Sequence, residues 1–393
     1  MQGGQPLTRR KEFSRPPNLF IFSNANSANF TQPVTPCQTD LPVNQTKHSP
    51  TLSPARHTKR GVSSSNVLPV IACLVLAIFT VTTSRPVAAQ VVPGAAQPEK
   101  IIIDTDIGDD IDDAFAVALA LRSPEVQILG VTTTFGDTET RAKLADRLLG
   151  EAGREDIPVA AGSPTPPKGA LTQRIYAQQG RFTRRSHPAA VDFILDQINR
   201  NPGEITLVAI GPLVNVGQLI DKDPATFRKL KRVVMMGGSI ERGYGDPYAP
   251  PTPPEPEWNI VNDIPAAQKL FASGVPIYMM PLDSTQLKMD ETKREYLFRQ
   301  ATPLTEALGA LYYEWGQTTP TLYDPMTITF IVKPDLCPVR PMRIEVDAKG
   351  VTRPTQGPPN AQVCLHSDPE SFFNFFLGRV GAQPEAARPE PGK

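Results

Sequence analysis

Five short apolar runs, at 101–103, 126–133, 205–210, 232–236 and 276–280, constrain this chain more than any other feature, because each closes on a polar or glycine-bearing loop. Helix-forming stretches lie between them, including 114–121, one beginning near Thr138, 188–200 and 264–272. Runs that are apolar throughout, rather than alternating, suit strands covered on both sides. The pattern predicts an α/β fold: an open, mostly parallel sheet with helices on both faces. Ligands in such sheets bind at the carboxyl ends of strands. Function is therefore expected in the acidic loop at 104–113, in Gly211-Pro212-Leu213, in Gly237-Gly238 and in Pro281-Leu282-Asp283. The Pro-rich stretch 247–256 lies in one such loop and is expected to shape a rim or lid. Past Phe330 come short strands at 342–346 and 362–365 and a last helix at 369–379.

The ends of the chain read differently. Its 43 prolines in 393 residues are roughly twice ordinary usage, yet hydrophobic residues hold at 40%, so disorder is expected to be local. Residues 1–60 are rich in Gln, Asn, Ser, Thr and Pro and are expected to be a disordered leader. Lys59-Arg60, the apolar run 67–81 and the small residues around Ala88-Ala89 make 61–89 a secretory signal. The run falls short of the roughly twenty residues that a spanning helix needs. Residues 90–99 follow as a linker, 100–380 as a single α/β domain, and 381–393 as a disordered tail. A secreted or periplasmic protein is expected, with no stable membrane partner unless the signal stays uncleaved. Lys plus Arg and Asp plus Glu both number 40, so net charge offers no case for nucleic acid as a partner. Cleavage after Ala89 would remove Cys37 and Cys73 and leave Cys337 and Cys364, which could form one disulfide or remain two buried thiols.

The loop after the first run places six carboxylates in ten residues, Asp104, Asp106, Asp109, Asp110, Asp112 and Asp113. Such charges repel one another increasingly as water is excluded, which points to a bound cation. Oxygen-only ligands suit Ca²⁺ or Mg²⁺ rather than zinc. A solvated loop with Asp112 or Asp113 capping the next helix is the plainer reading. An EF-hand fails: counting from Asp104, the sixth and twelfth positions are Asp109 and Phe115, not glycine and glutamate.

Further motifs follow in order: 131–137 (Val-Thr-Thr-Thr-Phe-Gly-Asp), 211–215 (Gly-Pro-Leu-Val-Asn), 233–238 (Val-Val-Met-Met-Gly-Gly), Glu257-Trp258-Asn259-Ile260 with Asn262-Asp263, Pro281-Leu282-Asp283 and Tyr323-Asp324-Pro325. Together with 101–121 they resemble the inosine-uridine-preferring nucleoside hydrolases, over about residues 100–379. The resemblance implies a Rossmann-like core, hydrolysis of the N-glycosidic bond of a ribonucleoside in purine or pyrimidine salvage, a bound Ca²⁺ and a homo-oligomer. It implies that Asp106 is both metal ligand and general base, that Asp113 and Asp324 are metal ligands, and that Val214 offers its main-chain oxygen. Asp110, Asp112, Asp137, Glu257 and Asn259 are implied to contact substrate, and the loops around 179–186 and 243–256 to contact the base. Tyr323 stands where many members carry the histidine that protonates the leaving base. The acidic loop is two residues longer than the family's, so the family's Asp-Asp pair matches either Asp112-Asp113, which directly precede Ala114, or Asp110 and Ile111 without a gap. Two alternatives stand beside this reading: a haloacid-dehalogenase-like phosphatase with Asp104 as nucleophile and Asp106 as acid, and a periplasmic nucleoside-binding relative without turnover.

Overall fold

In the computed structural model, residues 97–179, 182, 184 and 186–383 are described. The leader, the signal and the tail from 384 onward lie outside them, as do Cys37 and Cys73. Among the described residues nine strands form one sheet: β1 (Glu99–Thr105), β2 (Val126–Thr133), β3 (Val159–Ala161), β4 (Ile205–Ala209), β5 (Arg232–Met236), β6 (Ile277–Met280), β7 (Val339–Val346), β8 (Thr352–Thr355) and β9 (Ala361–Cys364). Their order is β3-β2-β1-β4-β5-β6-β9-β7-β8. The sheet is parallel from β3 through β9. Only β7 and β8 introduce antiparallel pairs at one end.

Strand β1 shows why continuous apolar runs give this architecture. Ile101 and Ile103 enter one core layer and Ile102 the other, as the two-residue side-chain period requires. Helices Asp112–Leu121, Thr138–Glu151, Pro303–Trp315, Pro325–Val332 and Pro369–Val380 cover the first face. Helices Ala190–Arg200, Val214–Lys222 and Ile264–Ala272 cover the second. This is the α/β fold expected, with β2 and β5 at the bounds read from sequence.

Three details differ from expectation. Strand β3 has three residues, too few to carry a pattern, and β8 contains Pro354, which argues locally against a strand. Strand β7 begins at Val339 rather than 342, pairing first with β9 and then with β8. Cys337 and Cys364 are disulfide-bonded, with Cα atoms 5.6 Å apart, and tie the start of β7 to the end of β9. Among the described residues no helix is long and apolar enough to cross a membrane.

Candidate active site

The strand order reverses at β1 and β4, so the loops leaving these neighbours part and open a crevice, the usual ligand position in a doubly wound sheet. A cavity of about 430 Å³ lies there. Asp106, Asp109, Asp110, Asp112 and Asp113 line it from the loop after β1, with Ile210 and Met236 from the ends of β4 and β5. Glu257, Trp258, Asn259, Tyr323 and Asp324 complete the polar side; Tyr244, Trp315, Gln317, Ala170 and Thr172 shape the mouth.

Local bonding explains how the acidic loop folds. Thr105 Oγ1 accepts the Ile107 N–H at 3.0 Å and donates to the Asp113 carboxylate. Gly108, at φ 120°, makes a turn that a side chain would strain. The helix Asp112–Leu121 then opens with two acids in its first turn, where its dipole favours negative charge. Its N-cap is Ile111 and no side chain caps it, so neither Asp112 nor Asp113 serves as the cap. Instead Asp112 Oδ2 accepts the N–H groups of Tyr323 (3.2 Å) and Asp324 (3.3 Å), joining loops far apart in sequence.

The result is a buried cluster in which carboxylate oxygens of Asp112, Asp113 and Asp324 all lie within 4.8 Å of one another. Burial raises the pKa of all three well above the carboxylate range, and each is raised further by its acidic neighbours. Asp106 faces the same cluster; burial pushes it up to about 6, while Arg141 beside it works in the opposite direction. Among the described residues, no Lys, Arg or His lines the cavity. Gly211 leaves room for Asp106: a Cβ there would sit 2.8 Å from both the Asp106 N and Oδ1. A buried oxygen-only set whose members repel one another fits a hard divalent cation.

On the opposite wall Glu257 is held by three backbone donors, Gly238 N (2.9 Å), Asn259 N (2.9 Å) and Ile260 N (3.2 Å). Burial nonetheless pushes it up to about 7. Asn259 Nδ2 donates to Met236 O (3.2 Å) and Ile210 O (3.4 Å), so its amide oxygen is the atom it can turn toward a ligand. Tyr323 meets Tyr244 edge-on, ring centres 6.2 Å apart, and burial followed by the Asp112 charge raises its phenol, which stays protonated. The Tyr244 hydroxyl accepts the Trp258 N–H at 3.0 Å.

Of the residues expected from sequence, Asp106, Asp110, Asp112, Asp113, Glu257, Asn259, Tyr323 and Asp324 converge on this cavity. Asp110 lies apart from the close trio, one oxygen accepting its own neighbour's N–H, Ile111, at 2.7 Å. Asp137 is not in the wall; it caps the helix Thr138–Glu151 through Thr140 and pairs with Arg174 at 3.2 Å. Val214 opens the helix Val214–Lys222 beside the crevice, and its side chain is not in the wall. Asp104 does not suit a phosphatase nucleophile: it is buried outside the cavity, bonded to Thr132 (2.6 Å) and Asn215 (2.7 Å). His187 is engaged elsewhere, its ring nitrogens 3.0 Å from Glu139 and 2.9 Å from Asp146.

Arg141, Trp315 and Gln317 were not anticipated, and Tyr244 only through the loop 243–256 that holds it. Arg141 had a readable signal, since it shares the apolar stripe of its helix with Ala142, Ala145, Leu148 and Leu149. The other three come from loops and helix ends without local pattern.

A family model described as inosine-uridine preferring nucleoside hydrolase matches residues 101–374. Uridine nucleosidase 1 of Arabidopsis thaliana is 32% identical over 276 residues, covering 64% of this chain and 80% of the relative. The pyrimidine-specific ribonucleoside hydrolase RihA of Citrobacter koseri is 30% identical over 318 residues, covering 71% and 97%. Among solved structures, the plant nucleoside hydrolase PpNRh1 superposes with a TM-score of 0.64 at 29% identity, covering 73% of this chain and all of that one.

Proposed function

Since this chain belongs to the inosine-uridine preferring nucleoside hydrolase family and hydrolyses ribonucleosides to ribose and free base, we propose that it does so around a calcium ion held by Asp106, Asp112, Asp113 and Asp324, with the Val214 carbonyl as a further ligand. The observation that carries this reading is the buried carboxylate cluster at the β1/β4 crevice, facing Glu257 and Asn259. When bound, the ion offsets the carboxylates' mutual repulsion and acidifies the attacking water. Asp106 accepts that water's proton as general base. Glu257 keeps acceptor capacity beyond its backbone bonds, and with the Asn259 amide oxygen it holds ribose hydroxyls. That grip favours the flattened, oxocarbenium-like ring of the transition state. Asp110 stands by as a substrate contact, and Asp137 has no role in the proposal.

Ribose release from a panel of purine and pyrimidine nucleosides, before and after chelation, tests this reading. Activity should vanish with the chelator and return with Ca²⁺. Undiminished activity in metal-free protein would reject the ion, and silence on the whole panel would reject the substrate class.

Tyr323 acts in the proposal as the donor to the departing base. A phenol with an ordinary pKa near 10, raised here by burial, delivers a proton less readily than an imidazolium near 6.5. Tyr323→Phe should therefore slow natural nucleosides by roughly 10²-fold while leaving p-nitrophenyl riboside, whose leaving group needs no proton, nearly unchanged. Equal losses in kcat/KM on both substrates would reassign Tyr323 to packing beside Asp324. Action outside the cytoplasm belongs to the same proposal, supported by the Cys337–Cys364 disulfide, which suits an oxidising compartment.

A further inference from the structure

The Arg141 side chain is 3% exposed and lies behind the acidic loop. Its Nε donates to the Phe135 carbonyl at 2.8 Å. Nη1 donates to the carbonyl of Asp106 and to that of Ile107, the latter at 3.0 Å. Nη2 pairs with the Asp109 carboxylate at 2.8 Å. Burying a guanidinium is costly unless its donors are used. Here they are spent on the peptide bonds of the residue assigned as general base and of its neighbour. The Phe135 carbonyl belongs to an unusual turn, with φ 62° at Phe135 and 65° at Gly136, which turns that oxygen toward Arg141. Asp106, Asp109 and Asp113 all lie within its field.

We infer that Arg141 is a positioning residue for the hydrolysis: its planar fork fixes the backbone at Asp106 and Ile107 and ties down the Asp109 carboxylate, so that Asp106 and the Asp112-Asp113 pair face the cavity. The inference rests on the role given to Asp106 above. A loop crowded with six carboxylates has many conformations that spread its charges into solvent. One rigid cation with several donors selects among them; a lysine, with a single ammonium at the end of a flexible stem, cannot reach the same acceptors together.

The test compares Arg141→Lys, Arg141→Gln and Arg141→Ala with the wild-type chain, each confirmed folded and assayed well below its melting temperature. Three quantities are read: kcat and KM for ribose release at saturating Ca²⁺, calcium affinity by competition with a chromophoric chelator, and Tm. In Arg141→Lys, kcat should fall on the order of 10²-fold, as for a misplaced catalytic group, while KM moves by less than about threefold. Calcium affinity should weaken about 10- to 100-fold, the usual effect of losing a group that orients ligands. Guanidinium at non-denaturing millimolar concentration should restore part of kcat in Arg141→Ala and none in Arg141→Lys, whose side chain fills the space. A folded Arg141→Lys with wild-type kcat and calcium affinity would overturn the proposal. Failure of all three variants to fold would also overturn it, by making the role structural. A wild-type chain that bound calcium but released no ribose would instead defeat the functional reading, and the calcium measurement keeps the two failures apart.

Discussion

Asp106→Ala and Asp324→Ala, made separately, should each lower ribose release by roughly 10³- to 10⁴-fold and weaken calcium binding. Asp106 loses the proton acceptor as well as a ligand, so Asp106→Asn, which keeps the shape, should be nearly as inactive. Asp112→Ala and Asp113→Ala should follow, since their oxygens meet those of Asp324 within 4.8 Å. Asp110→Ala should be milder, because its carboxylate is partly engaged by the Ile111 N–H. Full activity in the Asp106 or Asp324 variant would sink the assignment.

The same cluster gives a stability signature of definite sign. Burial and neighbouring charge hold these carboxyl groups above the unfolded value near 3.9, Asp106 at about 6. The contribution of these groups to the stability of ion-free protein is thus fully present below the unfolded value and is lost as pH rises through the raised ones. This contribution should lower the urea midpoint of chelated protein as pH rises from about 4 through about 6 and above, and Ca²⁺ should flatten the slope. In the metal-free state Asp324→Ala, relieved of one repelling charge, should be more stable than wild type at pH 8 despite its lost activity.

The second large effect concerns the disulfide. Cys337 and Cys364 are 27 residues apart, and loop entropy assigns closure of such a loop about 3.5 kcal/mol. Reduction, or the Cys337→Ala/Cys364→Ala pair, should lower unfolding free energy by about that amount and leave kcat nearly unchanged, since neither residue lines the cavity. Two thiols titrating in the unreduced, denatured protein would show that the bond does not form.

Much of this fold was legible because β1, β4, β5 and β6 are buried on both faces and read as short apolar runs, with β2 broken only by its exposed Gln127 and its closing threonines. The acidic loop was legible for a different reason: six like charges in ten residues have few purposes other than binding a cation. What stayed hidden depends on contacts across the chain. Nothing near Asp112 indicates that it receives the N–H groups of Tyr323 and Asp324. Asp137 follows Gly136 as the family motif requires, yet local capping of Thr140 turns it from the cavity. Tyr244 sits in a loop without periodicity, and its place beside Tyr323 follows from how that loop folds on itself. Of the two loops expected to contact the base, 179–186 lies only partly among the described residues.

That second loop, between Gly238 and Glu257, is held mainly by its own bonds: Gly243 N to Thr252 O at 3.0 Å, Thr252 Oγ1 to Tyr244 O at 2.8 Å, Tyr244 N to Glu255 Oε1 at 2.9 Å and Glu255 N to Ser239 Oγ at 3.0 Å. It is moored to the rest of the molecule by Asp283 on the N–H groups of Ile240 and Glu241, by Gln286 on Gly243 and Gly245, by Thr352 on Ser239, by the Lys288–Asp246 pair and by the Tyr244 ring against Tyr323. On the proposed reading, this loop forms the wall around the departing base, a segment distinct from the carboxylate loop on the sugar side. Grafting another loop between the same moorings exchanges one wall for another without rebuilding the floor, so new base preferences can be sampled by recombination while the chemistry beneath is inherited unchanged.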